Sequence, residues 1–463
     1  MNKLNKLIVL FLIAAIGLSA CAPAATTTTT VPTQSVVEQP TATTAAEQPT
    51  AAPTTAATTA ATAAATAAPT TAATTAATTA PTPTVTPLAS KEGTLTIWVD
   101  TDRVKVVTDL SKEFTAKYNV PVAVQEMGFG DIRNQLKIAG PAGEGPDIII
   151  GAHDWLGELV TNGLLEPLDL GNKAASFDPV AIKAFTYNGK LYGMPYAVEN
   201  VALIYNKDLV PTPPATWDEL KATAKKLQDE KKVDQGYVLQ QGDAYHFEPL
   251  LTGFGGYIFG QNANGYNPQD VGLDSPGGLA AAEELDKMVK DGLLRKDTNY
   301  DIMASLFNQG KSAMMIGGPW MLSDIQKAKI NYGIAPIPMM KTQPRPFVGV
   351  QGFMVSAFGK NKLLAKSFLN EYIATDAAMQ SLYEVGKRSP AWMPVRNKIN
   401  DPDLKAFAEV AANGDPMPAI PEMSAVWDAL NKAIILIFQQ QQNPDQAMKD
   451  AAKTVRDKIA APK

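Results

Sequence analysis

The sequence has one cysteine and two histidines among its 463 residues. A single thiol cannot form a disulfide within the chain, so the fold must be stabilised by burial of apolar side chains. His153 and His246 occur in no spacing that predicts a zinc site, and the chain lacks a GxSxG elbow, a phosphate-binding loop and a strand-to-helix GxGxxG motif. These absences argue against the common enzyme classes, and we expect no cofactor, no bound metal and no catalysis.

An excess of basic charge is also absent. Lys and Arg number 41 and Asp and Glu number 46, which gives a formal net charge of -5 at pH 7. A protein that binds nucleic acid by its phosphates usually carries a basic surplus. We therefore predict no nucleic-acid partner.

The longest apolar run lies at the start of the chain, over residues 7–18. It is shorter than the roughly 20 apolar residues that a membrane-spanning helix needs. Lys3 and Lys6 precede it and small residues follow it. This pattern is typical of a cleaved secretory signal peptide, which we place at residues 1–20.

The string LSAC at 18–21 resembles the lipobox of bacterial lipoproteins, in which the cysteine receives the lipid after export. The resemblance implies that Cys21 is lipidated and anchors the protein to the outer face of the cytoplasmic membrane, since acyl chains contribute about 0.8 kcal/mol per buried methylene. The alternative is an ordinary signal peptide with an incidental cysteine.

Residues 21–90 contain almost only Thr, Ala and Pro, with no aromatic side chain and with Glu38 and Glu47 as rare charges. Such a segment cannot bury enough apolar surface to offset the entropy lost on ordering. We predict a disordered tether. The composition of 91–463 is that of a globular domain, and some 370 residues are too many for one core, so two lobes are expected.

The first part of this domain alternates strand-like and helix-like patterns. Strands are predicted at 94–99, 120–125 and 147–150, the last buried on both faces, and helices at 104–118 and 131–139. This βαβ rhythm predicts an α/β fold with a mostly parallel sheet covered by helices.

The same kind of pattern continues to the C-terminus. Further strands are predicted at 201–205, 237–240, 312–316 and 332–336, and helices at 376–385, 404–412, 423–440 and 444–459. Thr216 and Glu219 predict a capping box for a helix that begins at Trp217. Ser275 and Pro276 predict the N-cap and first position of another helix.

Several short strings of this domain resemble the maltose/maltodextrin-binding proteins of ABC importers. The strings are GPDII (145–149), AHD (152–154), YNGKL (187–191), AVE (197–199), LIYNKDL (203–209), GGPW (317–320), PFVGV (346–350) and MPAIPEMSAVW (417–427). They occur in order, and the resemblance covers the chain from about residue 91 to its end.

The resemblance implies a periplasmic-binding-protein-like fold, with two hinge-connected lobes and a ligand cleft between them. One lobe would comprise about 91–197 and 352–398, the other about 202–347 and 403–463, with crossings near 196–201, 348–351 and 398–401. The implied function is capture of maltose or maltodextrin, which are α-glucan oligosaccharides, and delivery to membrane-embedded permease subunits. A monomer is expected.

Carboxylates and arginine can hold sugar hydroxyls, and aromatic rings can stack on the apolar face of a sugar. By resemblance, the ligand-binding residues are Asp102, Arg103, Asp154, Glu199, Asp243, Tyr245, Tyr300, Trp320, Met417 and Trp427, with Trp155 as a displaced ring.

The sequence also departs from the pattern of the family. Gly151 stands where a stacking tryptophan is expected, Trp155 where an arginine is expected, and Asn431 replaces a further arginine. These departures predict an altered sugar subsite. Trp98 and Trp217 are expected in the core, whereas Trp392 could lie in the core or line the cleft. His153 is expected to be a packing or capping residue.

Three alternatives stay open at this point. The same fold could bind a xylo- or cello-oligomer, or could serve as a tethered adhesin or sensor without a transporter. An exported glycosidase also stays open, because the separation of paired carboxylates is invisible in a sequence.

Overall fold

The computed structural model describes residues 87–263 and 265–461. The predicted signal peptide, Cys21 and most of the predicted tether lie outside the described residues. Within the described part of the chain, no helix is long and apolar enough to cross a membrane.

Strands and helices alternate through most of the described chain. The strands are β1 (Leu95–Val99), β2 (Val122–Glu126), β3 (Ile148–Ala152), β4 (Leu165–Glu166), β5 (Thr186–Tyr187), β6 (Lys190–Leu191), β7 (Gly193–Glu199), β8 (Ala202–Asn206), β9 (Gln235–Val238), β10 (Phe259–Asn262), β11 (Gly265–Val271), β12 (Ser312–Gly317), β13 (Tyr332–Ala335), β14 (Phe347–Ser356), β15 (Ser389–Pro390) and β16 (Asp415–Pro416). The helices are α1 (Thr101–Tyr118), α2 (Phe129–Ala139), α3 (Leu156–Thr161), α4 (Pro179–Ala184), α5 (Trp217–Asp229), α6 (Ala244–Gly253), α7 (Pro276–Lys290), α8 (Tyr300–Asn308), α9 (Leu322–Lys327), α10 (Lys362–Ser367), α11 (Asp376–Gly386), α12 (Met393–Arg396), α13 (Pro402–Ala411), α14 (Met423–Phe438) and α15 (Pro444–Ala460).

The two main sheets are mixed. The larger has the order β15-β7-β14-β3-β1-β2, with β4 and β16 also paired to β14, and the smaller has the order β13-β8-β12-β9. Among the strands named above in the described residues, four pairs are parallel, namely β1 with β2, β1 with β3, β9 with β12 and β14 with β16. The prediction of a mostly parallel sheet is therefore wrong. Helical crossovers make neighbours parallel from β1 to β3, whereas β14 lies between β3 and β7 and is antiparallel to both.

Each main sheet is the centre of one α/β lobe, as predicted. The chain passes from the larger sheet to the smaller one between β7 and β8, and it returns between β13 and β14. It leaves again between α12, which contacts α11 and β15, and α13, which contacts β13. All residues of β3 and the three residues before it, 145–147, are buried. This confirms the prediction of a strand that is covered on both faces.

Two helices begin at the caps that their sequence motifs predict. Thr216 and Glu219 form the predicted capping box of α5, and Ser275 caps α7. The start of α1 was predicted three residues too late, because Asp100 is its N-cap and accepts a hydrogen bond from the backbone N–H of Arg103. Asp102 and Arg103 consequently lie in the first turn of this helix.

Trp98, Trp217 and Trp392 belong to the packed core. Trp98 and Trp217 are buried, as predicted. Trp392 is buried as well, with its ring 4.8 Å from that of Phe177 and its Nε1 donating to Asp376 at 2.7 Å. Of the two alternatives for Trp392, the structure selects the core.

Asp147 joins the first described residues to the larger sheet. It is fully buried, and its carboxylate accepts hydrogen bonds from Ser90 Oγ (2.6 Å) and from the backbone N–H of Thr96 (2.8 Å). It also accepts from the backbone N–H (2.9 Å) and the side-chain amide (3.1 Å) of Asn361. One carboxylate thus satisfies donors from three separate segments.

We expect Asp147→Ala to lower the free energy of unfolding by about 3 kcal/mol, because several buried donors lose their acceptor at once. Urea denaturation measures the change. Asp169→Ala is the control, because this exposed carboxylate accepts from the backbone N–H of Gly171 in a turn, and its loss should cost less than about 0.5 kcal/mol. Equal effects of the two substitutions would contradict the assignment.

Candidate ligand-binding cleft

A cavity of about 640 Å³ lies between the two lobes, within the usual size of small-molecule sites. All eleven predicted ligand-binding residues line it, namely Asp102, Arg103, Asp154, Trp155, Glu199, Asp243, Tyr245, Tyr300, Trp320, Met417 and Trp427. Their placement in one cavity is observed, and their contact with a ligand stays a prediction. Among the described residues, no cluster of His, Cys, Asp and Glu is suited to hold a metal ion.

Arg388 is the main cleft residue that the sequence analysis missed. Its guanidinium is only 3% exposed, its Nε donates to Glu199 Oε2 at 2.5 Å, and its Nη2 donates to Asp102 Oδ2 at 3.2 Å. The guanidinium carbon also lies 5.4 Å from the centre of the Trp320 ring. Arg388 therefore holds two predicted sugar-binding carboxylates and supports one predicted stacking ring.

Glu199 is kept ionised by this arrangement. Burial alone would raise the pKa of its carboxyl, but the charges of Arg388 and Arg103 outweigh that effect and lower the pKa below its ordinary value. The side-chain amide of Gln351 donates to Oε1 of Glu199 at 2.6 Å. The cleft thus presents a fixed carboxylate that can accept hydrogen bonds from a ligand.

Arg103 has protein partners at two of its nitrogens. Nε bonds to the hydroxyl of Tyr196 and Nη1 to the carboxylate of Asp100. Its guanidinium carbon lies 5.4 Å from the centre of the Phe129 ring. An arginine side chain has five N–H donors in all. Any hydrogen bond from Arg103 to a ligand must therefore come from the N–H groups that Tyr196 and Asp100 do not accept.

The two departures at Gly151 and Trp155 are coupled by packing. A Cβ atom at position 151 would lie 2.0 Å from Cζ3 of Trp155, so only glycine leaves room for this ring. The ring is 4% exposed and its centre lies 4.7 Å from that of Phe129. The two departures from the family pattern therefore depend on each other, since the Trp155 ring fits in the wall of the cleft only beside a glycine at position 151.

Asp154 and Trp427 contact each other across the cleft. Trp427 Nε1 donates to Asp154 Oδ2 at 2.8 Å. Burial raises the pKa of the Asp154 carboxyl to about 6, although the charge of Arg133 and the bond from Trp427 oppose the shift. Two predicted binding residues that are 273 positions apart in the sequence are therefore already joined in this structure.

The wall formed by the N-terminus of α6 is rich in rings. Tyr245 and His246 lie beside Trp320, with ring centres 6.2 and 5.9 Å from it. Asp243 caps α6, accepting hydrogen bonds from the backbone N–H groups of Tyr245 and His246 at 2.8 and 3.2 Å. Asn431 Oδ1 accepts from the N–H of Ala244, a role that an arginine, which lacks an acceptor, could not take.

The remaining predicted residues, Tyr300 and Met417, also line the cavity. Tyr300 begins α8, whose N-cap is Asn299, and burial raises its pKa. Met417 is buried beside Gly349. His153 packs as predicted: its Nδ1 accepts from the N–H of Val350 at 3.1 Å, and burial lowers its pKa to about 4, which keeps the ring neutral.

Other lining residues were not predicted because no motif distinguishes them. They include Asp100, Thr101, Phe129, Asp131, Arg133, Asn134, Gln240, His246, Gln351, Asp428 and Asn431. The nearest sequence signal for Arg388 is its position directly before the string SPAWMP, which lies near a predicted crossing.

The raised pKa of Asp154 predicts a pH dependence of stability. Between its ordinary value of 3.8 and about 6, the folded state binds a proton more tightly than the unfolded state, so this carboxyl makes stability fall as pH rises. Each pKa unit corresponds to about 1.4 kcal/mol. Asp154→Asn cannot ionise, and it should be more stable than the wild type above pH 6. Urea denaturation from pH 4 to pH 7.5 measures this, and parallel pH profiles would contradict it.

Comparison with known proteins identifies relatives over most of the chain. The family described as bacterial extracellular solute-binding protein matches residues 109–412. A galactooligosaccharide-binding protein of Bacillus subtilis is 33% identical over 389 residues, covering 81% of this chain and 91% of its own.

Two further relatives have similar coverage. A maltodextrin-binding protein of Bacillus subtilis is 31% identical over 386 residues, covering 80% of this chain and 92% of its own. A protein of Streptococcus pneumoniae named as a maltooligosaccharide ABC transporter solute-binding lipoprotein is 27% identical over 384 residues, covering 80% and 90%. The chain belongs to the bacterial extracellular solute-binding proteins, and its two-lobed α/β fold is the periplasmic-binding-protein-like fold of that family.

Proposed function

We propose that the cleft binds an oligosaccharide. The observation that carries this proposal is one cavity in which the rings of Trp320 and Trp427 accompany the ionic pair of Glu199 and Arg388. Aromatic faces suit the C–H faces of sugar rings, and hydrogen bonds from hydroxyls to charged groups contribute about 1.5 to 3 kcal/mol each. The names of the relatives, which all refer to oligosaccharides, support the same ligand class.

Maltose or a longer maltodextrin is the first candidate ligand. The strings GGPW at 317–320 and MPAIPEMSAVW at 417–427, which carry Trp320 and Trp427, support an α-glucan. A galactooligosaccharide is the second candidate, supported by the name of one Bacillus subtilis relative. The coupled exchange at Gly151 and Trp155 alters one wall of the cleft, where it would change a sugar subsite.

Delivery to a permease completes the proposal. The Streptococcus pneumoniae relative is named both as an ABC transporter component and as a lipoprotein. We infer that this chain is exported, is anchored through Cys21 and works as a monomer with membrane-embedded permease subunits. The lobes would be 91–197 with 352–398 and 202–347 with 403–463, moving about the crossings as a hinge.

A sugar titration tests the ligand class. Trp155, Trp320 and Trp427 line the cavity, so tryptophan emission should respond to a ligand. Maltotriose, a galactotriose, cellotriose and xylotriose are titrated in parallel into the full-length chain. We expect maltotriose to give the lowest Kd. A lower Kd for the galactotriose would replace the first candidate with the second, and no response to any of the four would contradict oligosaccharide binding.

A test for catalysis separates a binder from a glycosidase. A general acid needs a raised pKa. Glu199 is ionised and held by Arg388, whereas Asp154 has a pKa raised to about 6 and already accepts a hydrogen bond from Trp427. The sugar that binds is incubated with the protein, and new reducing ends are measured. We expect none above the buffer control, and turnover that persists through purification would contradict the proposal.

The anchor is tested by Cys21→Ala. We expect this variant to be released from the membrane or left unprocessed, with unchanged affinity for the sugar. Fractionation of cells expressing the full chain measures this. Normal processing together with membrane retention would contradict anchoring through Cys21.

A further inference from the structure

A second cavity, of about 420 Å³, lies beside the cleft. Helix α6, the β10–β11 hairpin and the segments next to β14 and β16 form its walls. Phe347 lines this cavity. The centre of its ring lies 6.3 Å from the ring centre of Tyr245 and 6.2 Å from that of Trp427, and both of these residues line the cleft. Pro418 lines the second cavity, while its neighbour Met417 lines the cleft. The two cavities therefore share a wall.

Glu248, on α6, is the unusual group of this second cavity. It is 3% exposed, and within the described ranges its Oε2 has no hydrogen-bond partner. A buried polar atom without a partner costs about 1 to 3 kcal/mol, and an unpaired buried charge costs more. Burial raises the pKa of this carboxyl well above its ordinary value, helped by Asp415 and opposed by Arg345. Burial thus favours the protonated form of this carboxyl, which can both donate and accept a hydrogen bond.

Two further charged residues, Arg345 and Asp415, line the cavity and have opposite charges. Arg345 Nε donates to Asp415 Oδ2 at 2.8 Å, so these two opposite charges are paired with each other. Such a cavity offers no counter-charge to an anion or a cation. It offers hydrogen bonds to a neutral ligand.

Two tyrosines give the cavity fixed rings. Tyr266 OH donates to the backbone carbonyl of Pro416 at 2.6 Å, and Tyr257 OH donates to Asp270 at 2.9 Å. Hydroxyls that are engaged in this way hold each ring in one orientation. Rings, an ion pair and a carboxylic acid are the groups that recognise the hydroxyls and the C–H face of a sugar ring.

We propose that this cavity is a second ligand site, which takes one neutral polyhydroxylated ring of monosaccharide size, with Glu248 and Arg345 as its hydrogen-bonding groups. This second cavity is smaller than the cleft, and none of the predicted ligand-binding residues lines it. The proposal goes beyond oligosaccharide binding in the cleft and does not depend on it.

The experiment separates the two sites by substitution. Saturation-transfer NMR on the full-length chain measures binding of methyl α-D-glucopyranoside and methyl β-D-galactopyranoside. The background is the double variant Trp320→Ala with Trp427→Ala, in which the cleft is impaired. At least one glycoside should still bind. Glu248→Leu in the same background should weaken this binding at least tenfold, whereas Glu248→Gln, which keeps a neutral donor and acceptor, should stay within about threefold.

Arg345→Ala is a second variant, at a half-exposed position where folding is less at risk, and it should weaken glycoside binding at least threefold. Glu248→Leu in the otherwise native chain should leave oligosaccharide affinity in the cleft within about twofold. No saturation transfer to either glycoside in the cleft variant would overturn the second site, as would equal binding by the Leu and Gln variants. Failure of the cleft itself would show separately, as lack of oligosaccharide binding by the native chain.

Discussion

Arg388→Met is expected to lower the free energy of unfolding by about 3 to 5 kcal/mol, because it leaves the buried carboxylate of Glu199 without its counter-charge. Urea denaturation at pH 7 measures the loss. Arg295→Met is the matched control, since Arg295 pairs with Asp297 on the surface. Exposed pairs of that kind contribute about 0 to 1 kcal/mol. Similar losses for the two variants would contradict a buried ionic centre.

The pH dependence of this loss has a definite sign. The pKa of Glu199 is lowered in the folded wild type, so the stability that its ionisation contributes is present above its ordinary value of 4.5 and disappears as pH falls through the folded value. Without Arg388, less positive charge opposes the effect of burial, and the pKa of the Glu199 carboxyl rises. We therefore expect the difference between Arg388→Met and the wild type to shrink from pH 7 to pH 4. A difference that is constant over this range would contradict the charge argument.

A double variant separates charge from packing. Arg388→Met combined with Glu199→Gln removes both charges, and it should recover at least half of the stability that the single variant loses. It should not recover oligosaccharide binding, since the hydrogen-bonding carboxylate is gone. Recovery of both properties would show that the pair has only a structural role.

Trp320→Ala is expected to weaken oligosaccharide binding about thirtyfold, or about 2 kcal/mol. The ring lies in the cavity beside Tyr245, His246 and Arg388, and buried tryptophans of this kind are typical binding hot spots. Isothermal titration calorimetry with the sugar that responds in the emission assay measures the change. The protein should stay folded, because the side chain is half-buried rather than part of the core.

Trp320→Phe is the matched control for this substitution. It keeps an aromatic face, so its affinity should stay within about threefold of the wild type. Trp217→Phe, far from the cavity lining, should leave affinity unchanged. If Trp320→Ala bound as tightly as the wild type, Trp320 would have no place in the site.

Local sequence signals predicted local structure well. The capping box of Thr216 and Glu219 and the N-cap at Ser275 fixed the starts of α5 and α7. The start of α1 was missed because Asp100 was not recognised as a cap. Sheet direction was predicted wrongly because strand order depends on which distant segments pair. The β14 strand, which separates β3 from β7, is about 200 residues from β3 and about 150 from β7 in the sequence.

In the candidate site, too, the residues of local motifs could be predicted, whereas contacts between distant residues could not. Resemblance to a known family located eleven cavity residues. Five of them lie within the short matching strings, and the others were placed by their position in the chain relative to those strings. Arg388 could not be found in this way, because its partner Glu199 is 189 residues away and no string connects them. The coupling of Gly151 to Trp155 was also invisible, since it depends on a distance between a backbone and a ring. Sequence gave the residue types, and the fold supplied the contacts among them.

A crystal structure with the sugar of lowest Kd tests the central claim most directly. We predict density for at least two sugar rings in the cleft, with one ring stacked on Trp320 or Trp427 and a hydroxyl within 3.2 Å of the Glu199 or Asp102 carboxylate. Density for the sugar only outside this cavity, or a sugar in the cleft that contacts neither a tryptophan ring nor a carboxylate, would contradict the account.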